Sequence, residues 1–472
     1  MKLKILPWLL LLALLSSTVN AKEWFVATNG SDSSGDGTIS RPFKTIRHAL
    51  SEKAEPKDFI TLRSGMYHEE VRVRKPEITI RSMENEWAAI ATPVNIDDSD
   101  PVVTVTFDVG SKGSRIERVE ITGGFYGVFF FSEWDWDDTP LDNDAAKKIS
   151  ITNCRIHDTG RDAIKLPAGC DDILIQNCEI FNSGAGYPES TPVDERNAEG
   201  IDIVNCDRIL IQNCYIHDTS TTGLYVKGGS TGCTIETCRI ENCGEMGIGV
   251  GFDTSPEFFD LQVNPEYYEN IDGTVRNCVV KNTRYAGIGL YATKNAVIYN
   301  NTLVDTAKDG HGAIYLGLTY QDWEEKAGRP GNFKPIIVNN IVFQQESINS
   351  PVVSIRYSED LGGMSALNGP AIFNNNCYFH KNKKCLFEDG RPESPLPQGT
   401  FAEWQNHIAG DLDSFEADPC IDQNFQPGLK SPCLNRGTRA IASKNGNATS
   451  EFSDLQKFEA VNIGVMNFFS PD

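Results

Sequence analysis

Five charged residues within one repetitive stretch of the chain, residues 160–229, have the types and spacing that could do chemistry. They are Asp162, Lys165, Glu199, Asp202 and Lys227. Clustered carboxylates bind hard cations such as Ca²⁺, and a pair of them can also cleave a glycosidic bond as acid and nucleophile or base. A lysine beside such a cluster can serve as a general base once its pKa is lowered. Either chemistry requires a scaffold that brings these distant residues together.

The scaffold is indicated by an internal repeat. The phrase ILIQNC occurs at Ile173–Cys178 and again at Ile209–Cys214. Each repeat is marked by an Asn-Cys or Asn-Asn pair, or by Thr237–Cys238 in one coil, and the second residue of the pair is Cys154, Cys178, Cys214, Cys238, Cys278, Asn301, Asn340 or Asn376. The spacings fit a base period of about 24 residues with insertions, which is typical of a solenoid of three short strands per coil. The pattern therefore predicts an all-β parallel β-helix, because the leucine-rich phrase and the helix of the rival solenoid are absent.

Alignment of the coils predicts where the charged residues lie. Each coil carries a segment of the form small, apolar, variable, apolar, and strand alternation points the variable residue outward. Lys165, Asp202 and Tyr225 occupy this variable position in consecutive coils, while Asp162 and Glu199 precede the small residue. Because neighbouring strands lie about 4.8 Å apart, we expect the three carboxylates within one or two strand spacings of each other.

Further residues in the same outer rows are predicted to contact a substrate. Arg161 flanks the carboxylates, and Tyr225 lies among them. The remaining candidates, from later coils, are Arg284, Tyr285, Tyr291 and His311. Long insertions at 132–148, 184–197, 254–273 and 320–332 are predicted to form loops along the groove, since insertions in solenoids become loops on particular faces.

Composition narrows the classes of partner. The chain has 472 residues and a formal net charge of −22, which makes a nucleic-acid partner improbable. An anionic ligand would need local basic groups or a bound cation. Residues 1–21 have the basic start, apolar run and small-residue end of a signal peptide, so we expect a secreted or periplasmic monomer with no membrane insertion.

The cysteines divide into two groups. Those at the repeat marker are expected to be small buried side chains stacked in a ladder. Cys420 and Cys433 fall outside the ladder and are the favoured disulfide pair, with Cys377 and Cys385 as the second candidate. The chain is predicted to divide into the β-helix with its N-terminal cap, residues 22–397, and a C-terminal capping tail, residues 398–472.

Both ends of the chain resemble those of known proteins. The phrases Trp24–Asp32, Gly35–Thr38 and Arg41–Ile46 resemble the opening of secreted right-handed parallel β-helix proteins that act on polysaccharides. The tail, with Asp411–Phe415 and Val461–Gly464, is similar to their closing segment. The resemblance implies a right-handed solenoid whose first strand and a short helix, near residues 45–51, cap its N-terminal end.

The order of the site motifs is similar to that of the family-nine pectate lyases. In that family an Asp-Gly-Phe coil precedes an Asp-Asp-Gly-Trp-Asp coil that binds Ca²⁺, and a later Gly-Phe-Lys coil supplies a lysine base. The corresponding segments here are Asp162–Ile164, Ala198–Asp202 and Gly223–Gly229. The resemblance therefore implies an enzyme that cleaves an anionic, pectate-like polysaccharide by β-elimination.

The same resemblance implies roles for individual residues. Ca²⁺ would be bound by Asp162, Glu199 and Asp202, and Lys227 or Lys165 would be the general base. The chain also departs from the family pattern. Ala198 and Glu199 replace the two consecutive aspartates, and the lysine is shifted by two residues along its strand, with Tyr225 at the expected position.

Three other functions remain open at this stage. A glycoside hydrolase on the same fold would use two of the three carboxylates as its acid and its nucleophile or base. A sugar epimerase would use related proton transfers. A non-catalytic carbohydrate-binding solenoid would need none of this chemistry. The released product separates these alternatives, because only a lyase makes an unsaturated sugar.

Overall fold

The structure is a computed structural model that describes residues 21–133, 145–320, 328–345, 347–438 and 463–464. The described chain winds through three parallel sheets of twelve strands each, which we call sheets I, II and III in the order in which each coil visits them. The predicted all-β parallel β-helix is therefore confirmed. The predicted signal peptide, apart from its last residue, lies outside the described residues.

Each sheet collects one strand from every coil. Sheet I contains β1 Glu23–Val26, β2 Phe59–Leu62, β5 Thr79–Ser82, β8 Arg115–Glu117, β11 Ser150–Thr152, β14 Leu174–Gln176, β17 Leu210–Gln212, β21 Thr234–Glu236, β25 Thr274–Arg276, β29 Val297–Tyr299, β33 Ile336–Val338 and β39 Ile372–Asn374. Sheet II contains β3 Gly65–His68, β6 Ala88–Val94, β9 Val119–Gly124, β12 Arg155–His157, β15 Glu179–Phe181, β18 Tyr215–His217, β22 Arg239–Cys243, β26 Val279–Thr283, β30 Thr302–Val304, β34 Ile341–Gln344, β40 Cys377–His380 and β43 Phe415–Glu416. Sheet III contains β4 Val71–Val73, β7 Val103–Phe107, β10 Tyr126–Phe130, β13 Ile164–Leu166, β16 Ile201–Val204, β19 Leu224–Lys227, β23 Ile248–Val250, β27 Ile288–Tyr291, β31 Ile314–Gly317, β35 Val353–Ile355, β41 Phe387–Asp389 and the antiparallel β42 Leu396–Gly399.

Smaller elements complete the described structure. A minor parallel sheet contains β20 Ser230–Thr231, β24 Asn270–Ile271, β28 Thr293–Lys294, β32 Asn332–Phe333 and β38 Leu367–Asn368, and an antiparallel pair is formed by β36 Tyr357–Ser358 and β37 Met364–Ser365. The helices are α1 Ile46–His48, which continues as a π-helical turn over Ala49–Lys53, and α2 Phe401–Ile408. Short 3₁₀ turns lie at Val109–Ser111, Val193–Glu195 and Pro256–Phe258. Among the described residues, no helix is long and apolar enough to cross a membrane.

The helix expected near residues 45–51 is present at the N-terminal end. Thr45 is its N-cap, and its hydroxyl accepts a hydrogen bond from the amide of His48 at 3.2 Å. The apolar side chains of Ile46, Ala49 and Leu50 are buried against the first coil. They shield the core at an end where the sheets would otherwise be exposed.

The repeat marker explains how the chain turns from sheet I into sheet II. The residue before each marker cysteine has a left-handed backbone and, apart from Thr237, is an asparagine, as at Asn177 with φ 54° and Asn213 with φ 53°. Asparagine tolerates this conformation better than most residues. The following Cys178 and Cys214 then point inward and are buried, and each thiol donates to a main-chain carbonyl two residues earlier, at 3.3 and 3.4 Å. The expected cysteine ladder is thus confirmed.

In the later coils the ladder changes from thiols to amides. Asn301, Asn340 and Asn376 are fully buried. The main-chain amide of Asn301 donates to Oδ1 of Asn340 at 3.1 Å, and that of Asn340 donates to Oδ1 of Asn376 at 2.9 Å. Each asparagine side chain therefore bonds directly to the coil beside it.

The expected disulfide between Cys420 and Cys433 is wrong for this structure, in which all thirteen cysteines are free. Cys420 is exposed, whereas Cys433 is buried in a small core cluster with Cys377 and Ile341. The second candidate pair, Cys377 and Cys385, is not bonded either. The tail packs residue 433 against the last coils, which places its thiol near Cys377.

The tail is also part of the solenoid. Strand β43 and helix α2 both lie within residues 398–472, and β43 extends sheet II. Trp404 of α2 is fully buried, and its indole donates to Asp411 at 3.1 Å. The β-helix therefore continues past residue 397.

Two of the four insertions contain undescribed residues. The insertion at 132–148 closes through a bridge between Ser132 and Ala145, and that at 320–332 through a bridge between Tyr320 and Gly328. Residues 134–144 and 321–327 between them lie outside the described residues.

The insertion at 254–273 is tied to sheet III by a buried carboxylate. Glu269 accepts hydrogen bonds from the amide and hydroxyl of Thr254 at 3.1 and 2.7 Å and from the amide of Gly228 at 2.9 Å. Arg329 lies 3.7 Å from the same carboxylate. Burial raises the pKa of Glu269 to about 7. These contacts fix the loop beside Lys227.

Candidate active site

The register of sheet III brings the charged residues together. Lys165 of β13 pairs with Asp202 of β16, and Asp202 pairs with Tyr225 of β19. Their inward neighbours, such as Ile164 and Leu166, are fully buried in the core. Because side chains alternate along a strand, the charged residues lie on the outer face of the sheet, in the row that the coil alignment predicts.

Three carboxylates form a compact cluster on this face. Asp162, Glu199 and Asp202 each offer one oxygen, and these oxygens all lie within 4.8 Å of one another. The three residues are only 0%, 4% and 1% exposed. One oxygen of each, Oδ2 of Asp162, Oε2 of Glu199 and Oδ1 of Asp202, has no hydrogen-bond partner. Such buried, unpartnered carboxylate oxygens are costly and indicate a missing cation or proton.

The other carboxylate oxygens hold the cluster in place. Oδ1 of Asp162 accepts a hydrogen bond from the main-chain amide of Glu199 at 3.0 Å. Oε1 of Glu199 accepts one from the hydroxyl of Thr221 at 2.8 Å. Burial, together with the negative charge of Asp162, raises the pKa of Glu199 to about 8. This shift favours the protonated form of Glu199 when no cation occupies the cluster.

Lys165 is the basic group in closest contact with the carboxylates. Its Nζ bonds to Oδ2 of Asp202 and lies 3.9 Å from Oδ2 of Asp162. Burial lowers the pKa of Lys165 to about 8 despite the opposing effect of Asp162. The side chain retains 19% exposure, more than the carboxylates that it contacts.

Lys227 approaches the carboxylates from the other side. Its Nζ donates to the main-chain carbonyl of Asp253 at 3.2 Å and lies 4.2 Å from the ring centre of Tyr225. Phe252 is the second ring near this ammonium, at 5.8 Å. Burial lowers the pKa of Lys227, whereas the carbonyl and the ring faces favour its charged form.

The donor set fits a hard divalent cation. Ca²⁺ takes six to eight oxygen ligands, and the three unpartnered carboxylate oxygens would supply part of that shell. Asp162, Glu199 and Asp202 are the residues that could hold the ion. Lys165 now neutralises part of their charge, so a cation would compete with its ammonium for Asp202.

The other predicted substrate-binding residues lie at varying distances from this cluster. Arg161 bonds to Asp98 at 2.6 Å and to the carbonyl of Asn197 at 3.1 Å. Arg284 bonds to Asp309 at 3.1 Å. Both guanidinium groups thus already form hydrogen bonds with other residues of the chain.

The aromatic candidates separate into buried and accessible groups. Tyr291 is buried, and its hydroxyl donates to the sulfur of Met246 at 3.2 Å. Its ring therefore packs within the protein and is not open to a substrate. Tyr225 is likewise buried beneath Lys227. Tyr285 stacks on His311 with ring centres 4.8 Å apart, further along the sheet.

Sequence reasoning missed several residues that the structure places beside these groups. Thr221 and Asp253 act through the hydroxyl and carbonyl that hold Glu199 and Lys227. Tyr315 occupies the same outward position of its coil as Tyr225, and this shared position was its available signal. Arg356 had no such signal in the sequence, because it comes directly after the last residue of strand β35 and so has no place in the coil alignment.

A family model covers the part of the chain that contains the site. The right handed beta helix region matches residues 94–255 and 141–320. Together with the parallel three-sheet structure, this match confirms the right-handed parallel β-helix fold that the sequence predicts. No curated protein matches the chain by sequence.

Solved structures of similar fold include a pectate lyase, XylC and an epimerase module. Pectate lyase Pel9A is 13% identical with a TM-score of 0.53, over 95% of this chain and 96% of that chain. XylC, solved in complex with xylose, is 14% identical with a TM-score of 0.52, over 85% and 88%. The A-module of the mannuronan C-5 epimerase AlgE6 of Azotobacter vinelandii is 12% identical with a TM-score of 0.51, over 84% and 89%. At these identities the likeness concerns the fold alone.

Proposed function

We propose that the protein is an exported polysaccharide lyase that cleaves a uronate-containing polymer by β-elimination. Lys165 is the general base, and Asp162, Glu199 and Asp202 hold Ca²⁺. The observation that carries this proposal is the contact of a partly buried lysine with buried carboxylates that have unpartnered oxygens. Similarity of fold to a pectate lyase is consistent with the proposal and does not select the reaction.

The proposed reaction assigns each proton and electron pair. The neutral amine of Lys165 takes the proton from C5 of the uronate, next to its carboxylate. The electrons of the C5–H bond form the C4=C5 double bond, the bond from C4 to the glycosidic oxygen breaks, and the departing oxygen takes a proton from water. When bound, Ca²⁺ would stabilise the negative charge that develops on the uronate carboxylate.

Lys165 suits the role of base because of its environment. A general base works best when its pKa is close to the operating pH, and burial brings the pKa of Lys165 to about 8. Lys227 is the second candidate. The carbonyl of Asp253 and the ring of Tyr225 favour its ammonium form, so we assign it to binding the uronate carboxylate instead.

A direct test is the product released from uronate polymers. Polygalacturonate, alginate and glucuronan should be tested with added Ca²⁺ and with a chelator, and the C4=C5 product followed by its ultraviolet absorbance. We expect an unsaturated product from at least one polymer, and its formation should cease with the chelator and return with Ca²⁺. Absence of unsaturated product from every uronate polymer under both conditions would refute the lyase.

One observation favours a second function, a glycoside hydrolase. The pKa of Glu199 is raised to about 8, as the acid of a glycosidase requires, and the carboxylate oxygens lie within 4.8 Å of one another, close to the separation of about 5 Å in retaining enzymes. The 4% exposure of Glu199 argues against direct contact with a glycosidic oxygen. Saturated reducing ends without ultraviolet absorbance would identify the hydrolase.

A further inference from the structure

A second polar pocket opens on the same outer face, towards the C-terminal end of sheet III. It has a volume of about 360 Å³, and its lining includes His311, Tyr315, Arg356 and Glu388. All of its lining residues belong to the described parts of the chain. We call these four residues the distal pocket. None of them contributes to the carboxylate cluster around Asp202.

Stacked rings form one wall of the distal pocket. The ring of His311 lies 4.1 Å from that of Tyr315, with an angle of 4° between them, and Tyr285 stacks on its other side. His311 has a left-handed backbone with φ 65°, an uncommon conformation for a residue other than glycine. Its buried Nδ1 has no hydrogen-bond partner. The stack thus holds the imidazole rigidly while leaving one polar atom unsatisfied.

The opposite wall presents a cation. The Arg356 side chain is exposed and interacts with the hydroxyl of Tyr315. Among the described residues, no carboxylate lies within salt-bridge distance of this guanidinium, although the charge of Glu388 in the same pocket acts on it. Guanidinium groups bind carboxylates in a bidentate manner.

Glu388 sits at the edge of the same pocket. It accepts a hydrogen bond from the hydroxyl of Ser354 at 3.4 Å. A carboxylate in this position can accept hydrogen bonds from sugar hydroxyls. The pocket therefore combines one group for a carboxylate with others for a polyhydroxylated ring.

The strand register relates the distal pocket to the carboxylate cluster. From Asp202, successive partners in the outer row are Tyr225, Gly249, Gly289 and Tyr315. Four strand spacings of about 4.8 Å separate Asp202 from Tyr315, or about 19 Å. One strand spacing is close to the length of one sugar unit in an extended chain. A polymer lying along the sheet would therefore reach the pocket about four units away.

Glycines in the outer row make room for the side chains that cover the sheet between the two sites. A Cβ on Gly289 would lie 2.7 Å from the ring of Tyr291, and one on Gly249 would lie 2.9 Å from the Cβ of Tyr225. Larger residues would displace these rings and raise the floor. Both glycines are buried beneath these side chains, so the rings form the outer surface between Asp202 and the distal pocket.

We propose that the distal pocket is a subsite that binds the carboxylate of a uronate unit about four units from the bond that is cleaved. This inference rests on the proposed function, since it requires an anionic polymer that lies along sheet III. Arg356 binds the carboxylate, and His311 and Glu388 bind the sugar hydroxyls. The subsite would make the enzyme prefer long uronate chains to short ones.

The test compares oligouronates of different length. In Arg356→Ala, the KM for hexamers and octamers should rise about tenfold, the effect of losing one charged hydrogen-bonding group. The kcat should stay near that of the unaltered protein, and the KM for trimers should not change. Arg47→Ala, an exposed arginine of the N-terminal cap, is the matched control. Equal effects of Arg356→Ala on trimers and octamers would overturn the subsite.

A binding experiment separates failure of the subsite from failure of the proposed function. Saturated hexauronate and a neutral hexasaccharide are titrated calorimetrically into the unaltered protein and into Arg356→Ala. We expect weaker binding of hexauronate alone in the variant. Equal weakening for the neutral sugar would overturn recognition of a carboxylate. Failure of the unaltered protein to form unsaturated product would instead refute the lyase, whatever the titration shows.

Discussion

The two ends of the outer face of sheet III hold their polar groups in opposite ways. Around Asp202 the carboxylates are buried and the lysines are partly buried, and three carboxylate oxygens have no hydrogen-bond partner. Around Arg356 the cation is exposed and the neighbouring rings stack on one another. Burial displaces the pKa of Glu199 and Lys165 towards neutrality, which prepares groups for proton transfer. The exposed end is suited to binding. Four experiments would sharpen or break this division.

The largest effect is expected from Lys165→Arg. Arginine keeps the positive charge beside Asp202 but cannot lose its proton at working pH. We therefore expect kcat to fall about 10²–10⁴-fold, the usual contribution of a general base, while calorimetric affinity for a long oligouronate stays close to that of the unaltered protein. Lys112→Arg, at an exposed turn, is the control. Turnover retained in Lys165→Arg would remove this lysine from the chemistry.

The second experiment removes one carboxylate from each end. Glu199→Gln should weaken Ca²⁺ binding about tenfold or more, because a ligand charge is lost. Glu388→Gln should leave it unchanged, because Glu388 lies outside the carboxylate cluster. Isothermal titration with Ca²⁺ alone, without substrate, measures both. If the two variants bind Ca²⁺ alike, the cation site does not lie at the carboxylate cluster.

The third experiment uses the pH dependence of stability. The pKa of Glu199 is raised from 4.5 to about 8 in the folded state by burial and by Asp162, so its stabilising contribution is present at low pH and is lost as pH rises through this window. The pKa of Lys165 is lowered from 10.5 to about 8 by burial, so between these values the unfolded state binds more protons and stability rises with pH. We expect Tm without Ca²⁺ to pass through a minimum near pH 8.

The same measurement in the two glutamine variants shows which end is responsible. Glu199→Gln should reduce the fall between pH 5 and pH 8 and leave the part due to Glu269, whose pKa burial raises to about 7, whereas Glu388→Gln should preserve most of the fall. Added Ca²⁺ should raise Tm more at pH 8 than at pH 5, because it competes with protons for the carboxylates. A fall in Glu199→Gln as large as that of the unaltered protein would assign the titration to another group.

The smallest effect is expected from Tyr315→Phe at the exposed end. The hydroxyl of Tyr315 interacts with Arg356, and removing it should raise the KM for long oligouronates only a few-fold, as expected for one neutral hydrogen-bonding group. The kcat should not change, because Tyr315 lies about four strand spacings from Asp202. A large loss of kcat would show that the two ends do not divide binding from chemistry.

The sequence carries most of the information about this face because strand alternation and a fixed repeat are local properties. Aligning the small residues Ala163, Gly200 and Gly223 is enough to place Lys165 beside Asp202. The Asn-Cys pairs likewise predict the turn from sheet I to sheet II. These features depend on the periodicity of the side chains and on backbone preferences, and both can be read from one amino-acid sequence.

Other features could not be read from the repeat. Arg356 lies just after its strand, so the alignment of the coils does not include it. The contact of Cys433 with Cys377 depends on how the tail folds back onto the last coils. The displaced pKa of Lys165 depends on burial by surrounding loops. Burial and tail packing are tertiary properties, and the spacing of residue types along the chain does not contain them.

The coil register has a further consequence for how such a cleft can change length. Each coil closes on its own three strands, so adding or deleting one base repeat between β23 and β27 would shift the distal pocket relative to Asp202 by one strand spacing, about 4.8 Å. Intermediate shifts would break the pairing of all three sheets at once. The distance between the two sites can therefore change only in whole strand spacings. The chain lengths that the protein can distinguish would then change by one sugar unit at a time.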